Sequence, residues 1–162
     1  MKEIVIKRAR LEELSDLETM MYALHHEHYL LFPDHFKPAQ EVMQDKNIAE
    51  YLTMPEGLVF VAYVDDILVA FVTGHFGQLI SLVSKNVTMG SIDELFVQPE
   101  YRGLGIAKQL IERCNREFED YGVEQIFVEV WSGNRNAVSV YQQSGFGEHI
   151  QYLRKPTKHG KR

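Results

Sequence analysis

The first third of the chain shows two patterns of apolar positions, which predict a strand followed by two helices. Residues 2–8 alternate apolar and charged side chains, as a half-buried strand does. Apolar residues then recur at helical spacing from about Ser15 to Tyr29. Pro33 and Pro38 interrupt the pattern, and a second helix is predicted from about Ala39 to Leu52.

The middle of the chain has the alternation of β-strands. Two β-rich runs, 58–64 and 67–74, are separated by two aspartates, which predicts a short antiparallel hairpin. Residues 78–86 are predicted to form a loop before a strand at about 87–97. That strand contains a phase slip, because Ile92 is apolar at the opposite parity from Leu95 and Val97. Such a slip indicates a β-bulge or a local splay.

The last part of the chain predicts a strand–helix–strand unit. Residues 103–120 form the clearest amphipathic helix, and Gly122 follows where a helix end favours glycine. An apolar strand at 125–131 completes the unit, which predicts a parallel crossover. A short helix at 134–143 and a last strand from about Phe146 follow.

Composition narrows the class of protein. The 162 residues are 45% hydrophobic and 25% charged, which fits one globular domain. No apolar run approaches the roughly 18 residues needed to span a bilayer, so no membrane partner is expected. The one cysteine, Cys114, favours a reducing, cytoplasmic location and a buried, inert thiol.

The balance of charge argues against nucleic acid as a partner. The net charge is −6, whereas nucleic-acid-binding domains normally carry a basic patch or a basic balance. An acidic protein attracts cationic substrates more readily. The basic residues near the C-terminus predict a solvated tail at 156–162 that follows a domain at 1–155.

The turn before the predicted helix at 103–120 has the chemistry of a phosphate site. Gly103 and Gly105 allow a ligand to approach the backbone, and Arg102 adds a fixed positive charge. The first backbone N–H groups of the helix have no partner within it. This combination predicts a phosphorylated ligand, and a pyrophosphate in particular.

Three kinds of phosphate ligand compete for this turn. The nucleoside triphosphate pattern G-x-x-x-x-G-K-[ST] is absent. The dinucleotide pattern G-x-G-x-x-G fails at its third glycine, where Lys108 stands. Coenzyme A is the third candidate, and the sequence favours it through a resemblance to a known family.

Two motifs resemble those of the Gcn5-related N-acetyltransferase (GNAT) superfamily. Arg102, Gly105 and Ala107 fill the acetyl-coenzyme A motif [R/Q]-x-x-G-x-[G/A]. The downstream motif N-x-x-A-x-x-x-Y-x-x-x-G-F is matched at every fixed position between Asn134 and Phe146. The resemblance implies a single α/β (α+β) domain, with a mixed central sheet of about six or seven strands flanked by helices and splayed at the central strand.

The same resemblance implies which residues hold acetyl-CoA as co-substrate. Backbone groups of the splayed strand would bind the pantetheine arm, the glycine turn would bind the pyrophosphate, and Asn134 would bind the arm or cap its helix. The cofactor-binding residues so implied are Leu95, Phe96, Val97, Arg102, Gly103, Leu104, Gly105, Ile106, Ala107, Asn134, Ala137 and Tyr141.

The resemblance also implies candidate catalytic residues for acetyl transfer to an amine. Tyr141 stands where the family often has a tyrosine near the coenzyme sulfur, and a phenol there can protonate the leaving thiolate. Packing beside the coenzyme is the alternative role for this ring. Asp93 and Glu94 are the candidate bases, with Asp93 preferred because some polyamine acetyltransferases have a working glutamate at the matching place. Since neighbouring strand residues point to opposite faces, only one of the two is expected to face the acceptor. The family often uses no single essential base.

The sequence gives the least information about the residues that contact the acceptor amine. Glu27, His28 and Asp34 are candidate contacts to the acceptor, although histidines of this kind are more often surface or core residues and exposed acidic residues are usually only solvated. His26-Glu27-His28 lacks the second histidine of H-E-x-x-H, so no metal is expected.

The predicted function is transfer of acetyl from acetyl-CoA to a primary amine, with a small-molecule acceptor favoured. The alternatives are a non-catalytic acyl-CoA-binding regulatory domain and an acetyltransferase of protein N-termini or lysines. A longer acyl donor is a further alternative, and a homodimer is compatible with the resemblance.

Overall fold

One mixed five-stranded sheet organises the chain. The computed structural model describes residues 2–160. The strand order is β1-β2-β3-β4-β5; the pairs β1–β2, β2–β3 and β3–β4 are antiparallel, and β5 is parallel to β4. The strands are β1 Ile4–Arg8, β2 Gly57–Val64, β3 Ile67–Leu79, β4 Val87–Val97 and β5 Gln125–Val128.

Helices cover both faces of the sheet. They are α1 Leu14–Leu31, α2 Ala39–Asp45, α3 Ile48–Thr53, α4 Ile106–Asp120 and α5 Arg135–Gln143, with 3-10 turns at Leu11–Glu13 and Pro99–Tyr101. The single helix predicted at 39–52 is wrong, because Lys46 has extended backbone and Asn47 starts α3 as its N-cap. The Asn47 side chain accepts a hydrogen bond from Ala49 N at 2.9 Å.

The predicted hairpin and crossover are both confirmed. Asp65 and Asp66, between β2 and β3, have φ values of +49° and +66°. Two successive residues in the left-handed region are what a two-residue type I′ turn requires. α4 connects β4 to the parallel strand β5, as the strand–helix–strand pattern predicted.

The sheet separates two apolar cores. On one face, α4 contributes the buried residues Ile106, Leu110, Ile111, Cys114 and Phe118. On the other face, α1 and α3 pack against side chains of β2, β3 and β4. At Gly90 a Cβ atom would lie 2.4 Å from the Phe118 ring, so glycine is what allows α4 to approach β4.

The predicted strand from about Phe146 and the sheet of six or seven strands are not confirmed. Residues 2–160 form five strands, and the described part of the C-terminal segment has no strand pairing. Ile150, Tyr152 and Leu153 are exposed, so these apolar side chains do not form the buried face of a strand. Residues 161 and 162 of the predicted basic tail lie outside the described residues. No helix in residues 2–160 is long and apolar enough to cross a membrane.

Candidate active site

The central strand parts from its parallel neighbour halfway along its length. Pairing between β4 and β5 runs from Met89 with Gln125 to Ile92 with Val128, and then stops. β4 continues to Val97 while still paired with β3 on its other side. Beyond Ile92, the backbone groups of β4 that do not pair with β3 therefore face a gap on the side of β5. This is the splay that the sequence predicted.

A β-bulge lies at the start of the splayed segment. Thr73 pairs with Glu94 and Gly74 pairs with Ile92, so Asp93 has no partner on β3. The phase slip in the sequence thus predicted a real irregularity. Glu94 N donates to Thr73 Oγ1 at 3.0 Å.

The bulge places both candidate bases on the same face of the sheet. Asp93 contacts Tyr51 of α3, and Glu94 contacts Lys46, which lies between α2 and α3. The expectation that only one carboxylate would face this side is wrong, because the extra residue interrupts the regular alternation of the strand.

Asp93 is surrounded by hydrogen-bonding side chains. Its Oδ2 atom lies 2.8 Å from the Tyr51 hydroxyl and 2.6 Å from His75 Nδ1, and its Oδ1 accepts from Ser91 Oγ at 2.6 Å. Burial, together with the charges of Glu94 and Asp93, raises the pKa of Tyr51, so the phenol remains a proton donor. The Asp93 carboxylate is therefore engaged by groups of the protein itself.

Glu94 has a different environment. Its side chain is only 4% exposed, and Lys46 Nζ lies 3.2 Å from Oε1. Among residues 2–160, neither carboxylate oxygen has a partner with hydrogen-bond geometry. Burial raises the pKa of Glu94, and the Lys46 charge opposes that rise. A buried carboxylate with a raised pKa is better suited to accept a proton near neutral pH.

Glu94 faces a cavity of about 220 Å³ under α3. The lining contains apolar, acidic and basic side chains. The lining residues are Met21, Asp45, Lys46, Asn47, Glu50, Tyr51, Met54 and Glu94.

The glycine turn has an open backbone at the start of α4. Gly103 and Gly105 have φ values of +79° and +80°, and no atom lies within 4 Å of where their Cβ atoms would be. Gly105 is the N-cap of α4, so Ile106 and Ala107 offer the first free N–H groups of that helix. Leu104 is half-exposed. The turn therefore fits an anionic group that approaches the backbone closely.

Arg102 connects the glycine turn to one of the predicted acceptor residues. Its Nε atom donates to Val97 O at 2.8 Å, and its Nη2 atom donates to Glu27 Oε2 at 2.7 Å. Glu27 was predicted as an acceptor contact and Arg102 as a cofactor contact. In the structure they form one ion pair between α1 and the turn.

The downstream motif forms α5 and its N-cap. Asn134 Oδ1 accepts a hydrogen bond from Ala137 N at 3.3 Å, which confirms that Asn134 is the N-cap of α5. Tyr141 is 8% exposed, packs in the α4 core, and its ring centroid lies 5.7 Å from that of Phe146. Burial raises the pKa of Tyr141, with smaller contributions from Cys114 and Glu94.

The remaining candidate acceptor residues, His28 and Asp34, have different environments. His28 stacks on Phe36 with ring centroids 5.1 Å apart, and burial lowers its pKa. Asp34 is exposed. His35 stacks on Trp131 at 3.7 Å, which ties the α1–α2 segment to the chain after β5. In the described part of the chain, no three His, Cys, Asp or Glu residues form a group that could hold a metal ion.

Three residues of this site were not found from the sequence: Lys46, Tyr51 and His75. Tyr51 and His75 are 42 and 18 positions from Asp93, so no local spacing links them. The only available indication was His75 itself, a polar residue in an apolar β-rich stretch.

The sequence is similar to a family model and to a curated protein. The family model described as "Acetyltransferase (GNAT) family" matches residues 19–146. An N-alpha-acetyltransferase of Sulfurisphaera tokodaii is 30% identical over 113 residues, which are 65% of each chain. The chain thus spans slightly less than two thirds of that curated relative.

Two solved structures share the fold. An acetyltransferase from Vibrio fischeri is 48% identical with a TM-score of 0.64, over 78% of this chain and 96% of that one. The aminoglycoside N-acetyltransferase AAC(6')-Iy in complex with CoA has a TM-score of 0.72 at 20% identity, over 98% and 97% of the two chains. At that identity the second likeness concerns the fold alone.

Proposed function

The chain belongs to the acetyltransferase (GNAT) family, and we propose that it transfers an acetyl group from acetyl-CoA to a primary amine by direct attack in a ternary complex. The observation that carries this proposal is the open glycine turn at the N-terminus of α4, directly beyond the splayed half of β4. A turn for the pyrophosphate next to a gap for the pantetheine arm suits coenzyme A. The AAC(6')-Iy structure with bound CoA, which shares the fold, supports this choice of donor.

The donor would be held mainly by backbone groups. N–H groups from Gly103 to Ala107 would bind the pyrophosphate, and Arg102 would contribute its charge. Backbone groups of Leu95, Phe96 and Val97 that face the gap would bind the pantetheine arm and the thioester carbonyl. Asn134 and Ala137 would support this arrangement by fixing the start of α5.

Glu94 is the better supported of the two candidate bases. Asp93 already accepts from three side chains, whereas Glu94 is buried, has a raised pKa and lacks a well-formed hydrogen bond. In the proposed step the substrate ammonium gives one proton to Glu94, and the free amine nitrogen then bonds to the acetyl carbon and loses its second proton to solvent. The carbon–sulfur bond then breaks, and Tyr141 protonates the departing thiolate.

Two classes of acceptor have support. A small molecule is favoured by the cavity at Glu94, which has room for a slender chain. The amino group of a protein N-terminus is the second candidate, supported by the similarity to the N-alpha-acetyltransferase of Sulfurisphaera tokodaii.

Thiol release from acetyl-CoA tests the proposal. The wild-type protein is incubated with acetyl-CoA and a panel of small primary amines and short peptides with free N-termini. Acceptor-dependent thiol release is the expected result, and the acetylated product identifies the class. A CoA-dependent rise in Tm without turnover on any acceptor would instead support a non-catalytic CoA-binding domain.

A further inference from the structure

The cavity at Glu94 is lined by carboxylates and by apolar side chains. Glu94 supplies a buried carboxylate, and Met21, Tyr51 and Met54 supply apolar surface. Two further carboxylates of the lining, Asp45 and Glu50, belong to exposed residues. The lining thus combines a buried negative charge, an apolar surface and exposed negative charge.

A carboxylate buried to this degree is costly to keep charged without a well-formed partner. Lys46 Nζ approaches Oε1 to 3.2 Å, yet neither oxygen of Glu94 receives a hydrogen bond with good geometry. The Lys46 side chain is 45% exposed and belongs to the short link between α2 and α3. Its flexible stem can therefore leave the cavity without disturbing the core.

We propose that this cavity binds an aliphatic diamine, with one ammonium at Glu94 in the place that Lys46 Nζ occupies and the other between Asp45 and Glu50. The methylene chain lies against the methionines and the Tyr51 ring. This inference rests on the proposed function, because it takes the diamine to be the acceptor. Since Glu94 is the proposed proton acceptor, the ammonium bound there is the one that is acetylated.

Binding is measured separately from turnover. Isothermal titration calorimetry without acetyl-CoA compares 1,4-diaminobutane with 4-amino-1-butanol and 1-aminobutane, which keep the chain length and lose one charge. The protein variants are Glu94→Gln and Lys46→Ala. Their controls are Glu119→Gln and Lys85→Ala, which alter exposed residues away from the cavity.

The expected result is a diamine affinity at least about tenfold higher than that of either monoamine. Glu94→Gln weakens diamine binding at least about tenfold, because the cavity loses its buried charge. Lys46→Ala strengthens it at least about threefold, because the competing ammonium is gone. The two control variants bind as the wild type does.

Equal affinity for the diamine and the monoamines overturns the proposal, as does diamine binding unchanged in Glu94→Gln. If Glu94→Gln fails to fold, Lys46→Ala decides alone, and unchanged or weaker binding in that variant overturns the proposal. Failure of the proposed function looks different: diamine binding through Glu94, with no thiol release from acetyl-CoA on any amine or peptide of the panel, refutes acetyl transfer and leaves the binding assignment of the cavity intact. Thiol release with other amines, without diamine binding that depends on Glu94, supports acetyl transfer and overturns the cavity assignment.

Discussion

His75 Nδ1 lies 2.6 Å from Asp93 Oδ2, a contact that ties the third strand to the bulge of the fourth. The same oxygen lies 2.8 Å from the Tyr51 hydroxyl, so one carboxylate connects β3, β4 and α3. Removing it leaves three polar side chains without their acceptor. Under the proposed mechanism the two adjacent carboxylates have different tasks: Asp93 holds the site together, and Glu94 accepts the proton.

This division gives the first prediction. Glu94→Gln lowers kcat about 100-fold or more, the range expected for loss of a general base, with CoA affinity unchanged. Asp93→Asn lowers stability by about 1–3 kcal/mol through loss of its hydrogen bonds and lowers kcat less than about tenfold. Steady-state kinetics and thermal melts measure both, with Glu119→Gln as the control. A larger kcat loss in Asp93→Asn would return the base role to Asp93.

The second prediction concerns Tyr141. Tyr141→Phe lowers kcat about 100-fold and leaves the KM for acetyl-CoA within about twofold, because the ring still packs in the core and only the donor is lost. Steady-state thiol release measures both constants. Tyr152→Phe, at a tyrosine that is 98% exposed, is the control. A rate within twofold of wild type refutes the acid role.

The third prediction uses the left-handed glycine at the start of α4. Gly105→Ala lowers stability by about 1 kcal/mol, because alanine at φ +80° is strained even though no atom blocks its Cβ. It also weakens CoA binding, because the new methyl group occupies the open cradle. Thermal melts with and without CoA measure both effects. Gly147→Ala, also in open space and without a positive φ, should change neither.

The fourth prediction concerns the Arg102–Glu27 ion pair. Glu27→Gln tightens CoA binding about threefold at low salt, since it frees the guanidinium and removes a negative charge near the phosphates. The gain shrinks in high salt, because the pair is exposed. Calorimetry at two salt concentrations tests this, with Glu18→Gln, on an exposed position of α1, as the control. Weaker binding in Glu27→Gln would mean that the pair orients Arg102 for its ligand.

The fifth prediction is a pH dependence of stability. Burial, with smaller contributions from Lys46 and His28, lowers the pKa of His25 from 6.5 to about 4. As the pH falls from 6.5 towards 4, the unfolded chain takes up a proton that the folded protein refuses, so the free energy of unfolding falls.

His25→Gln removes this titration and makes the decline shallower, by up to about 1 kcal/mol per pH unit. Urea unfolding at a series of pH values measures the slope, and His159→Gln, at an exposed histidine, serves as the control. Parallel slopes for wild type and His25→Gln would contradict the prediction.

The sequence predicted those features that depend on short spacing. The glycine turn, the α4 stripe and the bulge near Ile92 are local patterns, and the structure contains all three. The prediction of one helix overlooked a change of phase at Lys46: Ala39, Val42 and Met43 would lie on one face of a continuous helix, and Ile48, Tyr51 and Leu52 on the opposite face. The Asn47 cap begins the second helix at that point. The Tyr51–Asp93–His75 contacts depend on how β3, β4 and α3 pack together, which no local pattern encodes.

The bulge also bears on how such a strand can change length. Ile92 and Leu95 face α4 while Phe96 faces α1, an order that stays regular if Asp93 alone is left out. One added residue therefore supplies an extra carboxylate to the cleft and leaves every apolar side chain on its original face. An insertion at this single point can give a strand new chemistry without any repacking of the two cores that it separates.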